Sequence, residues 1–328
     1  MLVVTGAAGF IGSCLLKCLN DCGREDILVI DNIGSTEKWR NLLNKKYIDY
    51  VNKNKSYDLL YYIENQIGSS GEIEAIIHMG ACSSTTELDF DYLYNNNFRF
   101  TRTLWNYCAE HQIPFIYASS AATYGDGSER FDDECNIDKL RPLNAYGYSK
   151  QLFDLWVKHQ AKSFPSQYVG LKFFNVYGPN EYFKGSMASM VFHGFNQIKA
   201  DGEIRLFKSC NQLYADGEQL RDFVYVKDVC DVIMWFMDHP DISGLFNVGT
   251  GKAQSFRELA EATFNALDMK PNIRYIDMPD QLREKYQYYT QAEMRKLRLV
   301  GYDKPFRTVE DGVKEYVQEY LNQGYRTL

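Results

Sequence analysis

Three side chains in this sequence have the types and spacing needed to remove a proton from an alcohol. Tyr146 and Lys150 are four residues apart, so a helix through them places both on one face, while Tyr148 points elsewhere. A phenol has an ordinary pKa of about 10, and an ammonium about 4 Å away stabilises the phenolate by roughly 4 kcal/mol at an effective dielectric constant of about 20. Because about 1.4 kcal/mol corresponds to one pKa unit, we expect Tyr146 to act as a base near neutral pH. Ser120 follows an apolar run and is expected to hold the substrate hydroxyl.

A glycine-rich turn near the start of the chain predicts a dinucleotide site. The residues Thr-Gly-Ala-Ala-Gly-Phe-Ile-Gly at 5–12 follow the apolar run 2–4 and lead into an apolar helix. Gly6 can adopt the positive φ of a tight turn, and Gly9 lets backbone N–H groups approach a pyrophosphate closely. Gly12 lets the helix pack against the strand.

The surroundings of these two motifs favour chemistry over chance. The apolar run 27–30 ends in Asp31, near the position that meets an adenosine ribose, so the glycines have the strand–turn–helix context of a dinucleotide site. An ordinary amphipathic helix could carry Tyr146 and Lys150 without any chemistry, but the glycine turn and the strand-end serine favour catalysis. The positive charge of an oxidised nicotinamide would lower the pKa of Tyr146 further.

The elements that must position these residues form an alternating pattern. Strand-like runs at 2–5, 27–31, 74–79, 114–118 and 167–174 alternate with helical stretches at 57–66, 92–112 and 146–163. This alternation predicts an α/β fold with a Rossmann-type doubly wound parallel sheet, which binds ligands beyond the carboxyl ends of its strands.

The second half of the chain is less regular and predicts a smaller substrate domain that is discontinuous in sequence. We expect a helix near 187–199, a strand at 204–207 and a polar loop at 209–220, before strand 222–226 and helix 229–237 return to the first domain and strand 245–248 follows. The predicted dinucleotide-binding domain is therefore 1–175 plus 222–250, and the predicted substrate domain is 176–221 plus 251–328. Capping-box spacing at Ser255 and Glu258, and at Thr290 and Glu293, predicts two helices there, and a final helix is expected over 308–321.

Composition limits the classes of function. Lys and Arg total 36 against 43 acidic residues, a net charge of −7, which argues against a nucleic-acid binder. The N-terminus does not resemble a leader, and no uncharged apolar run approaches membrane-spanning length, so we expect a cytoplasmic protein with no membrane partner. The eight cysteines lack the spacing of a disulfide framework, which indicates reduced thiols. Cys14, Cys18 and Cys22 recur on one helix face and are interpreted as core packing; no metal site is expected.

The chain resembles the extended short-chain dehydrogenase/reductase family and, more closely, the ADP-L-glycero-D-manno-heptose 6-epimerases. The segments 144–150 and 221–226 (Arg-Asp-Phe-Val-Tyr-Val) occur widely among nucleotide-sugar enzymes. Cys-Ser-Ser-Thr-Thr-Glu at 82–87 and Lys-Gly-Ser-Met-Ala-Ser at 184–189 narrow the resemblance to the heptose epimerases. It spans essentially the full length and implies an NADP-dependent isomerase of ADP-heptose that supplies lipopolysaccharide core synthesis. It also implies a homo-oligomer, specifically a homopentamer.

The resemblance implies a second acid/base, Lys184. An epimerase that oxidises a carbinol and then reduces the ketone must accept hydride on opposite faces of one carbon, so the ketone must turn inside the site. By the resemblance, Tyr146 serves one orientation and Lys184 the other. The alternatives for Lys184 are an exposed loop cation or a phosphate ligand.

Further site residues are implied position by position. On the cofactor side these are Gly6, Gly9, Phe10, Ile11, Gly12, Asp31, Asn32, Lys38, Lys53, Met79, Gly80, Ala81, Cys82, Ser83, Asn96, Lys150, Val176 and Lys184. On the substrate side they are Asn175, Ser186, His193, Phe207, Lys208, Ser209, Cys210, Arg221 and Tyr286. Arg221 also makes independent sense, because a guanidinium fork matches diphosphate oxygens. His78 and His193 are given no acid/base role.

The choice of cofactor rests on opposing features. Asp31 alone favours NAD, since a carboxylate repels a 2′-phosphate. Lys38 and Arg40 could neutralise that phosphate, and the family resembled uses NADP, so NADP is predicted and NAD is the alternative.

Two other functions remain open from the sequence. The first is another nucleotide-sugar epimerase or dehydratase of the same fold, although Ala121 and Ala122 stand where a dehydratase usually has an acidic pair. The second is a non-catalytic dinucleotide-binding sensor; such proteins commonly lose the tyrosine or the lysine, and both are present here.

Overall fold

A computed structural model describes residues 1–54, 73–283 and 286–328, so the helix expected over 57–66 lies outside the described residues. The strands are β1 Leu2–Thr5, β2 Ile27–Asp31, β3 Asp49–Asn52, β4 Ala75–His78, β5 Phe115–Ser120, β6 Tyr168–Phe173, β7 Asn175–Tyr177, β8 Ile204–Phe207, β9 Leu220–Tyr225, β10 Gly244–Val248, β11 Ala253–Ser255 and β12 Ile273–Ile276. Seven of them form one parallel sheet in the order β10-β6-β5-β4-β1-β2-β3. The predicted α/β fold is confirmed.

Helices cover both faces of this sheet. The α-helices are α1 Phe10–Asp21, α2 Phe90–Leu93, α3 Phe100–His111, α4 Ala145–His159, α5 Met190–Asp201, α6 Val226–Asp238, α7 Phe256–Asn265, α8 Asp280–Arg283, α9 Arg295–Leu299 and α10 Val309–Tyr316. A π-helical stretch, Tyr94–Arg99, joins α2 to α3, and a second, Val317–Leu321, continues α10.

Successive residues of one strand enter opposite cores. Leu2 and Val4 of β1 pack in the core that contains α1 and α6, whereas Val3 packs in the core around Trp105 of α3 and Phe153 of α4. Because helices cover both faces of the sheet, the strands consist mainly of continuous apolar residues and do not alternate between apolar and polar residues. This covering leaves the carboxyl ends of the strands as the open edge of the sheet.

The second half of the chain forms two smaller sheets. β9 pairs with β7 and β11 in a three-stranded sheet, and β12 pairs with β8. The expected return of the strand near 222–226 to the first domain stays a prediction, because Val224 packs in the core of α1 whereas Phe223 and Tyr225 pack in a separate core with Phe195 and Tyr316. The following helix does return: Val229 and Ile233 of α6 share the core of α1. The domain boundaries remain a prediction.

Local capping signals had mixed outcomes. At Ser255 the capping box is confirmed, with Glu258 N–H donating to its Oγ (3.0 Å) and its own N–H donating to the Glu258 carboxylate (2.6 Å). At Thr290 the predicted box is wrong, because its Oγ1 accepts from the N–H of Asp222 (3.2 Å) and α9 begins only at Arg295.

The first helix and its cysteines differ in part from expectation. Cys14 is buried and donates to the carbonyl of Pro179 (3.3 Å), whereas Cys22 lies beyond the end of α1 and is exposed, so core packing is wrong for Cys22. Within the described ranges, no cluster of His, Cys, Asp and Glu is arranged to hold a metal ion. Nor does any helix in those ranges have the length and apolar character needed to cross a bilayer.

Candidate active site

The carboxyl ends of β1, β2, β4 and β5 open into a cleft of about 1300 Å³ that extends to β8 and α5. With four exceptions, every site residue named from the sequence lines this cleft. The fold therefore brings together residues that are up to 280 positions apart in the sequence, from Gly6 to Tyr286.

The glycine turn has the predicted geometry. Gly6 has φ +67°, and a Cβ there would lie 2.6 Å from the backbone nitrogen of Gly80. A Cβ on Gly12 would lie 2.2 Å from the carbonyl oxygen of Gly6, so neither position accepts a side chain. No side chain caps α1, which leaves the first N–H groups of that helix able to bind an anion. The turn thus fits the pyrophosphate of a dinucleotide.

Basic side chains surround the predicted ribose contact. The carboxylate of Asp31 accepts from the N–H of Ala8 (2.8 Å) and from the ammonium of Lys38 (2.6 Å). Lys53 donates to Asn96, and burial lowers the pKa of Lys53 to about 8. Arg40, by contrast, pairs with Glu37 at the surface and is not among the cleft residues.

The arrangement of Ser120, Tyr146 and Lys150 follows from helix α4. Asn144 caps this helix by accepting from the N–H of Gly147 (2.8 Å), which places Tyr146 in the first turn and Lys150 one turn later. The Lys150 ammonium donates to the carbonyl of Ala118 on β5 (2.8 Å). Ser120 ends the same strand, its Oγ accepts from the N–H of Ala122 (3.1 Å), and it lines the cleft beside Tyr146.

Tyr148 points away from this group, as predicted. It is 44% exposed and stacks on Phe90 with 5.6 Å between ring centroids.

The expected effect of Lys150 on the phenol is not found. Burial raises the pKa of Tyr146, and the neighbouring Ser120 hydroxyl opposes that rise only in part. Burial also lowers the pKa of Lys150 to about 8, against the charge of Asp154. The prediction that Lys150 alone brings the phenol to neutrality is therefore wrong. Its ammonium is directed at the Ala118 carbonyl, and desolvation of the phenolate dominates.

Lys184 lies on a different wall of the cleft. Its ammonium is 5.1 Å from the ring centroid of Phe10 in the glycine turn, and burial lowers the pKa of Lys184 while Glu181 opposes the shift. The loop that carries it is attached to that turn by Asn41, whose amide donates to the carbonyls of Ala8 and Asn180, each at 3.1 Å.

Asn180 completes the attachment of this loop. It has a left-handed φ of +72°, and its amide donates to Ser13 Oγ of α1 (2.9 Å). The alternative of an exposed loop cation does not describe Lys184, which lines the cleft against Phe10.

Four residues assigned to the substrate do not line the cleft: Lys208, Ser209, Cys210 and Arg221. Lys208 pairs with Asp277 (3.0 Å), Ser209 Oγ donates to the carbonyl of Asn211 (2.8 Å), and Cys210 is exposed.

Arg221 is buried beneath Tyr286. Its guanidinium donates to the carbonyls of Leu220 and Gln287 and lies 5.2 Å from the Tyr286 ring centroid. The guanidinium thus supports a cleft residue from behind.

Several cleft residues were not assigned from the sequence. They include Thr85, Thr86, Tyr92, Phe183, Met187, Gln197, Arg205 and Gln287. Arg205 could have been found, because side chains two apart on a strand share a face and Phe207 had been named. Thr85 and Met187 stand inside the two segments that narrowed the resemblance, and the Thr85 hydroxyl contacts Met187 Sδ at 3.6 Å.

Comparison with known proteins agrees with this geometry. The model of the NAD dependent epimerase/dehydratase family matches residues 2–249. The ADP-L-glycero-D-manno-heptose-6-epimerase of Nitratidesulfovibrio vulgaris (strain DP4) is 51% identical, with 98% of both chains covered. The crystal structure of the Helicobacter pylori ADP-L-glycero-D-manno-heptose-6-epimerase has a TM-score of 0.80 at 28% identity and covers 97% of this chain and 95% of its own.

A more distant structure shares the fold alone. The UDP-glucuronic acid 4-epimerase of Bacillus cereus, in complex with UDP-glucuronic acid and NAD, has a TM-score of 0.80 at 22% identity, with 99% of both chains covered. The family match and the identity over nearly the full length go further than fold. The chain belongs to the NAD dependent epimerase/dehydratase family, and within it to the ADP-L-glycero-D-manno-heptose-6-epimerases.

Proposed function

We propose that this chain is an isomerase that interconverts ADP-D-glycero-β-D-manno-heptose and ADP-L-glycero-β-D-manno-heptose by transient oxidation and re-reduction at C6 with bound NADP. The observation that carries the proposal is a single cleft with an acid/base candidate on each of two walls. Tyr146 lies beside Ser120 on one wall, and Lys184 lies against Phe10 on the other. The 51% identical relative is named for the same reaction.

Each protein group has a defined task in this reaction. Bound nicotinamide supplies the acceptor and donor of hydride and, when oxidised, a positive charge. Ser120 holds the substrate hydroxyl, and Tyr146 takes its proton in one orientation of the sugar. Because burial raises the pKa of Tyr146, the phenol needs positive charge nearby, which an oxidised nicotinamide would supply together with Lys150 one turn away.

Lys184 serves the other orientation of the ketone. Burial lowers the pKa of this lysine towards the working range, which suits a group that must both give and take a proton. Its place on a second wall means that a ketone turned away from Tyr146 meets another acid/base. A ketone that turns between Tyr146 and Lys184 could then present either face of the same carbon to a bound nicotinamide.

Two lysines support NADP as the cofactor. Lys38 neutralises Asp31, which otherwise repels a 2′-phosphate, and Lys53 adds a second cation to the same part of the cleft. NAD stays the alternative, since the Bacillus cereus neighbour holds NAD. The affinities of NADP⁺ and NAD⁺ for the wild type and for Lys38→Met decide the matter: we expect tighter NADP⁺ binding and loss of that preference in the variant. Equal affinities in the wild type would contradict the choice of NADP.

The substrate is tested by direct turnover. Purified protein is incubated with each ADP-heptose epimer separately, and NMR detects the other epimer without net change in cofactor redox state. UDP-glucose and UDP-glucuronic acid serve as controls. Turnover of a UDP-sugar with none of ADP-heptose would refute the substrate assignment and leave the fold unaffected.

We further propose a cytoplasmic homo-oligomer, a homopentamer by membership of this group, that supplies heptose for lipopolysaccharide core synthesis. Light scattering on the purified protein measures the number of subunits.

A further inference from the structure

A buried ion pair lies beneath the end of strand β5 that carries Ser120. Lys172 of β6 and Asp154 of α4 are 0% and 1% exposed, and their charged atoms are 2.7 Å apart. Neither residue lines the cleft, and neither carries a role in the proposed reaction. Replacing a buried ion pair by apolar side chains of similar size is often neutral or stabilising, so stability alone does not explain why charges stand here.

The pair is hydrogen-bonded to the side chain that precedes Ser120 and, through Thr123, to the carbonyl of Ser120. Asp154 Oδ2 accepts from the hydroxyl of Ser119 (2.8 Å), while the Lys172 ammonium donates to Thr123 Oγ1 (2.7 Å). The Thr123 hydroxyl in turn donates to the carbonyl of Ser120 (2.8 Å). The strand end that holds the substrate hydroxyl is therefore bound from below at three consecutive hydrogen bonds.

The same carboxylate acts on Lys150. Asp154 lies one turn further along α4, and its charge raises the pKa of Lys150 against the effect of burial. The other charged or titratable groups acting on Lys150 are Cys82, from the loop after β4, and Lys53, from the segment after β3. Burial and, to a lesser degree, the charge of Lys150 lower the pKa of His78 on β4.

We propose that Lys172 and Asp154 are positioning residues that fix Ser120 and hold the charge of Lys150, an inference that rests on the proposed function. Asp154 acts on Lys150 directly, and Lys172 acts on it through Asp154, whose charge it compensates. Loss of the negative charge leaves Lys172 uncompensated and disfavours the ammonium of Lys150. Loss of the positive charge leaves Asp154 uncompensated and favours it.

The experiment compares three variants of the full-length protein. Lys172→Met and Asp154→Asn each remove one charge, and the double variant Lys172→Met/Asp154→Leu replaces the pair by apolar side chains of similar volume. The double variant is included because a single uncompensated buried charge can prevent folding, whereas the apolar pair is expected to fold. We expect turnover to fall at least 10-fold in all three, including the double variant with its melting temperature near that of the wild type.

A second measurement follows the titration of the Lys150 ammonium directly. The protein is labelled with ¹³C-lysine, and the Lys150 signal is assigned by its loss in Lys150→Met and followed by NMR from pH 6 to 11. We expect the titration midpoint of Lys150 to fall in Asp154→Asn and to rise in Lys172→Met. A role confined to packing would not move the midpoint in opposite directions.

A matched control uses a second buried carboxylate that does not line the cleft. Asp228 is buried and paired with Arg307, whose N–H donates to it at 2.7 Å. Asp228→Asn is expected to lower the melting temperature and to leave both turnover and the Lys150 midpoint unchanged.

The outcomes separate the two proposals. Wild-type turnover in the double variant, or an unchanged Lys150 midpoint in both single variants, overturns the positioning role. If wild-type protein does not epimerise ADP-heptose but the midpoints shift in opposite directions, the proposed function fails and the link between the pair and Lys150 stands.

Discussion

The two walls of the cleft are built differently. Ser120, Tyr146 and Lys150 stand on a strand end and a capped helix, above a buried ion pair. Lys184 stands on an irregular loop held to the glycine turn by the side chain of Asn41 and to α1 by that of Asn180. Regular elements place catalytic groups through local spacing, whereas the loop depends on hydrogen bonds between residues far apart in sequence. The comparison predicts that loss of one tertiary contact costs more at the first wall, where a buried charge is left uncompensated, than at the second, where one neutral hydrogen bond is lost.

The largest expected effect is that of removing the phenolic hydroxyl from the first wall. Tyr146→Phe should reduce turnover about 10³- to 10⁴-fold, near the upper end of what general acid–base groups contribute. Cofactor content of the purified protein should be unchanged, because the ring remains. Turnover is measured by NMR; a loss of less than 10-fold would show that another group carries the proton transfer.

On the second wall, Lys184→Met should reduce turnover about 10²- to 10³-fold while the melting temperature stays close to that of the wild type. The matched control is Lys304→Met, which removes a surface lysine paired with Asp231, and it should have full activity. A near-normal rate for Lys184→Met would refute the idea of two acid/bases.

The pH dependence of stability should report the burial of Lys150. Its pKa falls from an ordinary 10.5 to about 8 in the folded chain. Between those values the unfolded chain binds more protons, so the free energy of unfolding should rise as pH increases from 8 to 10, by up to about 3 kcal/mol. Urea unfolding at each pH measures this slope. An equally steep rise in Lys150→Met would assign it to other groups.

The smallest effect is expected at the attachment of the Lys184 loop. Asn180→Ala loses the hydrogen bond to Ser13 and puts alanine at a left-handed φ, which should lower the free energy of unfolding by about 2 kcal/mol and turnover about 10-fold. Asn180→Gly tolerates the left-handed φ but still loses the hydrogen bond to Ser13. Comparing the two variants therefore separates the effect of backbone strain from the effect of losing that hydrogen bond. If both variants retain full turnover, the second wall does not depend on this contact.

The residues that could be predicted are those whose geometry is local. Four-residue spacing on one helix placed Tyr146 and Lys150 on one face, and the glycines at 6 and 12 are required by backbone contacts within the turn and its neighbour. The orientation of Arg221 could not be predicted, because it depends on Tyr286 and on a carbonyl 66 positions away. The predicted helix cap at Thr290 is wrong for the same reason, because its hydroxyl accepts a hydrogen bond from the N–H of Asp222, 68 positions away.

The sequence by itself determined the parallel sheet, the dinucleotide turn, the phenol–lysine pair and the family, because these depend on short-range spacing and on apolar runs. Tertiary structure alone decided the direction of the phenol pKa, the place of Lys184 against Phe10 and the ion pair beneath Ser120. The physical reason is that desolvation and electrostatics depend on everything packed around a group, and residues remote in sequence supply most of that packing.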